Sequence, residues 1–177
     1  MNWDDYFFSI IAVVREKSKD NSTKVGAVIA NKDNVIVSTG FNGFPRGVYD
    51  KDSDVRKVLL KERVPFNAIT KEHFDKTIVK RCSRPLKYLF TEHAERNAIY
   101  AAAKHGISLE NCKIYVDWFP CADCCRAIIQ SGINEIIIDY RDSETKERLW
   151  NERWKESINA TKQMCEEAEI LIRRWTG

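Results

Sequence analysis

The chain has 177 residues, 44% apolar and 31% charged, with a formal net charge of +3. That length can bury a sizeable core within one domain, and the composition is that of an ordinary globular protein. The weak positive balance gives no electrostatic case for nucleic acid, and no apolar run approaches the roughly 20 residues of a membrane span.

The first segment, "MNWDDYFFSIIAVV", has early aspartates and no basic leader, so it does not read as a secretion signal. Trp3, Phe7, Ile10 and Val14 recur at helical spacing and predict an amphipathic helix over 4–18. "VGAVIA" (25–30) and "VIVSTG" (35–40) are β-prone runs separated by "NKDN", which predicts a hairpin. "GFNGFPRG" (40–47) is dense in Gly and Pro and reads as an ordered loop. Residues 48–86 are charged and irregular, with a short helix expected near 54–62; so long a connection suggests a functional insertion. A helix is expected over 92–104, a strand over "KIYVDWF" (113–119) and a helix over 121–131. That last helix opens after Pro120 and closes at Gly132. "EIIID" (135–139) is the next strand, 144–167 a polar helix and "ILIRRW" (170–175) a final strand. Strands that alternate with helices after a hairpin imply an α/β fold, one mixed sheet with helices on both faces.

Six cysteines, three of them within positions 121–125, point in a chain without a secretion signal to metal or catalysis rather than disulfides. Cys121 and Cys124 form a C-x-x-C pair at a helix start. Residues i and i+3 share a helical face, and the helix N-terminus favours the thiolate that metals bind. His93, 28 residues upstream at the start of another expected helix, supplies a third ligand. One His and two Cys leave the fourth position of a tetrahedral Zn²⁺ open, the mark of a catalytic rather than a structural ion. Zinc makes a bound water acidic near neutral pH. Glu95, two residues past His93, can take that proton and return it to a leaving group. Either half of the pattern alone is commonplace: a C-x-x-C also serves structural zinc or redox chemistry. Cys125 and Cys112 read as core residues, and His105 as a helix C-terminal residue. His73 and Cys82 are too few for a second metal. The order H-x-E then P-C-x-x-C resembles the signature of zinc nucleobase deaminases.

With the blocks "STKVGAVI" (22–29), "STGFNGFPRG" (38–47), "HAERNAI" (93–99) and "PCADCCRAIIQSGI" (120–133), the chain resembles the zinc-dependent deoxycytidylate (dCMP) deaminases of the cytidine deaminase superfamily. The resemblance runs from about residue 3 to 140; "DYRDSETKE" (139–147) resembles a weaker later block, and 50–86 matches nothing. It implies a three-layer fold with a mixed five-stranded sheet flanked by helices, here a single domain over 1–177 with an insertion at about 50–86. It also implies a cytoplasmic homo-oligomer in pyrimidine nucleotide metabolism that hydrolyses dCMP to dUMP and ammonia. One Zn²⁺ would be held by His93, Cys121 and Cys124, with Glu95 as the proton shuttle. Asn42 would contact the nucleoside and Tyr140 would lie at the pocket edge. Lys24, Arg46 and Arg141 are candidate phosphate partners, because a phosphate needs cationic or N–H donors. Many members of that family bind dCTP and dTTP as effectors, and these residues do not reveal such a site.

Asp117 and Trp118 depart from the family pattern, and Trp118 resembles the tryptophan of the AID/APOBEC polynucleotide deaminases. An aromatic ring can stack on a base and a carboxylate can accept from an exocyclic amine. Both are therefore candidate substrate-reading residues; the competing reading has Asp117 pointing away and Trp118 in the core. A deaminase acting on another base, or on tRNA or single-stranded DNA, is the alternative function. Lys71, Lys76, Lys80, Arg81, Arg84 and Lys87 would suit it, and the modest net charge argues against it. A non-catalytic zinc module is a third reading, which the presence of Glu95 disfavours.

Overall fold

The computed structural model describes residues 1–20, 22–48, 50, 82–141 and 154–177. The helix expected near 54–62, His73 and the basic residues 71–81 lie outside them. The chain separates into two compact units, Met1–Asn42 with His93–Gly177, and Gly43–Glu92.

The first unit opens with α1 (Trp3–Arg15). Asn2 accepts the Asp5 N–H and Asp5 reaches back to the Asn2 N–H, a reciprocal capping box that sets the helix start. The helix ends at Arg15, three residues before the expected Ser18. Strands β1 (Gly26–Ala30) and β2 (Ile36–Phe41) form the antiparallel hairpin, with Ala27 opposite Gly40. In its turn the Asn31 side chain accepts from the Asp33 and Val35 N–H groups, and Asn34 takes the left-handed φ of 62° that asparagine tolerates.

Helix α3 (Ala94–Lys104) leads to β3 (Lys113–Val116), α4 (Ala122–Gln130), β4 (Glu135–Asp139), α5 (Lys155–Glu167) and β5 (Leu171–Trp175). The five-stranded sheet has the order β2-β1-β3-β4-β5. β1 is antiparallel to β2 and β3, while β3, β4 and β5 run parallel, so the sheet is mixed as expected. Strand β3 ends at Val116, not Phe119. The aromatics Trp118 and Phe119 are β-prone, but the chain leaves the sheet where Asp117 turns to other partners.

The central strands are buried on both faces, hence their near-continuous apolar runs. On one face Phe7, Phe8 and Ile11 of α1 pack with Val28, Tyr115 and Ile137. On the other, Ala27, Ile29, Ile114, Val116, Ile136 and Ile138 meet Ala94, Ala98 and Ala102 of α3, Cys125 and Ile128 of α4, and Cys165 of α5. This is a three-layer α/β architecture. The edge β5 is tied to α1: Arg173 pairs with Asp4 and with Glu135, Trp175 donates its indole N–H to Asp5, and Phe8 stacks on Trp175 with centroids 4.3 Å apart.

In the second unit, Gly43 and Glu92 exchange backbone bonds in an isolated antiparallel bridge, and Phe44 stacks on Phe90 of the short helix α2 (Lys87–Phe90). No helix among the described residues is long and apolar enough to cross a membrane.

Candidate active site

Two helix N-termini carry the chemistry. His93 is the N-cap of α3 and Cys121 the N-cap of α4, and neither side chain caps its own helix. Both point instead at one spot. His93 Nδ1 lies 3.6 Å from Cys121 Sγ and 3.5 Å from Cys124 Sγ. An ion with Zn–N near 2.0 Å and Zn–S near 2.3 Å at tetrahedral angles separates such ligands by about 3.6 Å. The three donors therefore fit a zinc ion. Among the described residues they are the one group of three or more metal-ligating side chains.

The electrostatics match that donor set. The Cys121 thiol is drawn down to about 4, because the Cys124 thiol and then His93 bond to its sulfur. Cys124, as the donor in that pair and buried, is pushed up. His93 is raised, chiefly by the Cys121 sulfur beside it.

Glu95 sits in the first turn of α3, 5% exposed, and burial holds its carboxyl above the ordinary range. The position of α3 follows from a side-chain-free approach. A Cβ on Gly40 of β2 would meet the Ala94 carbonyl at 2.2 Å and the Ala98 nitrogen at 2.4 Å. Ser38 donates to the Ala98 carbonyl at 2.7 Å, and Asn97 to that of Phe41 at 2.8 Å. Across the two helix starts, Arg96 and Asp123 pair at 3.6 Å.

The remaining sequence-predicted residues occupy varied settings. Asn42 is buried; its side chain accepts the Val25 N–H at 2.8 Å and donates to the Thr23 carbonyl at 2.9 Å. It therefore pins the loop that enters β1. Lys24 pairs with Glu16 at 2.7 Å. Arg46 is exposed and lies in the other compact unit. Arg141 forks onto Asp139 and stacks over the Trp175 ring. Tyr140 is half-buried beneath the Arg174 guanidinium. Asp117 is 3% exposed and its two oxygens take the Gly26 N–H and Arg15; Trp118 beside it is half-buried. Cys125 and Cys112 are buried, and His105 is the C-cap of α3, each as expected.

The sequence places a polar helix over 144–167, of which α5 is the described part, but gives no sign of its role at the site. Trp154 packs edge-on against the His93 ring, centroids 6.4 Å apart, while Ser157 and Thr161 bond to the segment that holds the cysteines. In sequence these are unremarkable positions in a polar helix, 35 and 41 residues from their partners.

Comparison with known proteins agrees with this geometry. The family model described as "Cytidine and deoxycytidylate deaminase zinc-binding region" matches residues 1–139. An uncharacterized deaminase in the luxG 3' region of Aliivibrio fischeri is 38% identical over 96% of this chain and 91% of its own length. The deoxycytidylate deaminase of Homo sapiens is 34% identical over 81% of this chain and 70% of its own, and that of Enterobacteria phage T4 is 37% identical over 72% of each. Among solved structures, the dCMP deaminase of cyanophage S-TIM5 in its apo form superposes with a TM-score of 0.61 over 97% of this chain and 96% of that one, at 19% identity, which speaks for the fold. With the matched region spanning both the histidine–glutamate and the cysteine motifs, the chain belongs to the cytidine and deoxycytidylate deaminase family.

Proposed function

We propose that this protein is a zinc-dependent nucleotide deaminase that hydrolyses dCMP to dUMP and ammonia. The observation that carries the reading is the convergence of His93, Cys121 and Cys124 on one point beside the buried Glu95. The relatives named deoxycytidylate deaminase supply the substrate.

His93, Cys121 and Cys124 would hold one zinc ion, which when bound would acidify a water. Glu95 would take a proton from the attacking water as its oxygen adds to C4 of the cytosine ring. The same carboxyl would deliver that proton to N3 and then carry the second proton, from the added hydroxyl, to the amine, so that ammonia leaves and the carbonyl forms beside a protonated N3. Burial raises the Glu95 carboxyl above its ordinary range, which suits a group that accepts a proton and returns it. Asn42 contacts the nucleoside while its amide keeps the 23–25 loop in place. Trp118 and Tyr140 border the base. Asp117 acts on Trp118 by position, since its carboxylate is held by Gly26 and Arg15. Lys24, Arg46 and Arg141 remain the candidate cations for the phosphate, Lys24 and Arg141 each by exchanging a present carboxylate partner. We read residues 50–86 as an insertion in a single deaminase domain. The protein itself we read as a cytoplasmic homo-oligomer of pyrimidine nucleotide metabolism, open to nucleoside triphosphate effectors.

Ammonia release across dCMP, deoxycytidine, CMP and a single-stranded oligonucleotide tests the assignment. dCMP should have by far the highest kcat/KM. Equal efficiency with deoxycytidine would remove the phosphate requirement, and preference for the oligonucleotide would make this a polynucleotide deaminase.

A further inference from the structure

Helix α4 begins with a residue that brings no oxygen to its N-cap. The N-cap position normally offers a side-chain oxygen to the first free backbone N–H groups. Here Cys121 stands at that position with its sulfur committed to the ligand cluster and no side-chain capping bond. The missing oxygen comes from another helix: the Ala122 N–H donates to Ser157 Oγ of α5 at 2.8 Å. One turn further along α5, Thr161 Oγ1 donates to the Pro120 carbonyl at 3.1 Å. One more turn along, the buried Cys165 meets the buried Cys125 at 3.5 Å between sulfurs, and Cys125 also donates to the Thr161 carbonyl at 3.8 Å. Residues 157, 161 and 165 recur every four positions and so share one face of α5. That face grips the backbone on either side of Cys121 and the residue after Cys124. Trp154, just before the helix, packs on His93. Helix α5 lies beyond the 1–139 region that the family model matches.

We infer that Ser157 and Thr161 are positioning residues that hold segment 120–124 in its metal-binding geometry and thereby set how long the ion stays. The inference rests on the reading that His93, Cys121 and Cys124 bind zinc. The hydroxyls bond to backbone groups and not to the ligand side chains. Ser157 takes the Ala122 N–H and Thr161 holds the Pro120 carbonyl, so the backbone on both sides of Cys121 is fixed and with it the direction of the sulfurs. Outer contacts of this kind are typically worth about 10–100-fold in metal affinity.

The test is the rate at which the zinc-loaded full chain releases its ion to a colorimetric chelator. The variants are Ser157→Ala, Ser157→Thr, Thr161→Val and, on the exposed side of the same helix, Asn159→Ala. Ser157→Ala and Thr161→Val should release zinc roughly tenfold faster than wild type. Ser157→Thr keeps the hydroxyl and should restore slow release, and Asn159→Ala should match wild type. In the Co²⁺-substituted protein the thiolate-to-metal absorption band should shift in Ser157→Ala and return in Ser157→Thr. Thr161→Val preserves shape in the core, which guards against loss of fold. Release at the wild-type rate in both hydroxyl deletions overturns the proposal, as does equal acceleration in Asn159→Ala. A wild-type protein that holds no zinc instead overturns the metal assignment itself.

Discussion

The carboxylate of Asp117 accepts the backbone N–H of Gly26 at 2.8 Å, across 91 residues of sequence. It thereby ties the end of β3 to the start of β1, and through Arg15 at 3.2 Å to the end of α1. Asp117→Ala leaves the buried Gly26 N–H without that acceptor, a loss of about 1–3 kcal/mol. Asp117→Asn retains an oxygen and should lose less, which urea denaturation of the two variants will measure. Because the residue works by position, Asp117→Asn should also keep the wild-type ranking across pyrimidine and purine monophosphates. A reordered ranking in that variant would make Asp117 a direct reader of the base.

Metal analysis of the purified protein should give one zinc per chain. Cys124→Ala and His93→Ala should lose it. Chelation should lower the thermal midpoint, since a ligand present at a thousand times its Kd adds about 4 kcal/mol to the folded state. An unchanged midpoint after complete stripping would show that the fold does not sense the site.

Glu95→Gln should lower kcat by at least about 10²–10⁴-fold while zinc content stays at one per chain. The substitution keeps size and a hydrogen-bonding oxygen but cannot carry the proton. Turnover within a few-fold of wild type would remove Glu95 from the reaction.

Asp4 gives a pH signature in stability. Its carboxyl is lowered first by the bond from Arg173 and further by Tyr115, whose hydroxyl donates at 3.0 Å. A folded-state value below the unfolded one means that the stabilisation is complete above the unfolded pKa of about 4. It is lost as pH falls through the lowered folded value. Asp4→Asn should therefore melt earlier than wild type at pH 6, and the gap should close as the pH is taken toward 2. A gap that stays constant over that window would mean that the pair contributes nothing through charge.

The cluster of His93, Cys121 and Cys124, with Glu95 beside it, was legible in the sequence because metal-binding chemistry restricts residue type and spacing at once, and each of the four stands in a local motif. The strands were legible because apolar, β-branched runs such as Glu135–Asp139 admit few other folds. The end of β3 was not, since Asp117-Trp118-Phe119 continues a β-prone pattern and only the distant Gly26 and Arg15 draw Asp117 out of it. Helix α1 was overextended for a related reason: nothing in Glu16-Lys17-Ser18 marks a stop, while Ser18 turns its hydroxyl to the Asn42 carbonyl. Ser157 and Thr161 carry no signal, because a hydroxyl on a polar helix looks solvated until its partner is known. Lys24 and Arg141 show the opposite: as isolated cations they invited a phosphate, and the fold supplies each with a carboxylate.

The stitching of α1 to β5 bears on how the protein is made. Arg173 and Asp4 are 169 positions apart, and Trp175 and Asp5 170. At about 5–20 residues per second of synthesis, the first helix leaves the ribosome on the order of ten seconds or more before its outer partner. Through that interval the Phe8 ring has no Trp175 to stack on, and Asp4 has no Arg173. Until then that part of the aromatic surface of α1 stays uncovered. Closure waits for one late strand, and a ribosome stalled ahead of residue 171 would leave a helix that cannot complete its docking.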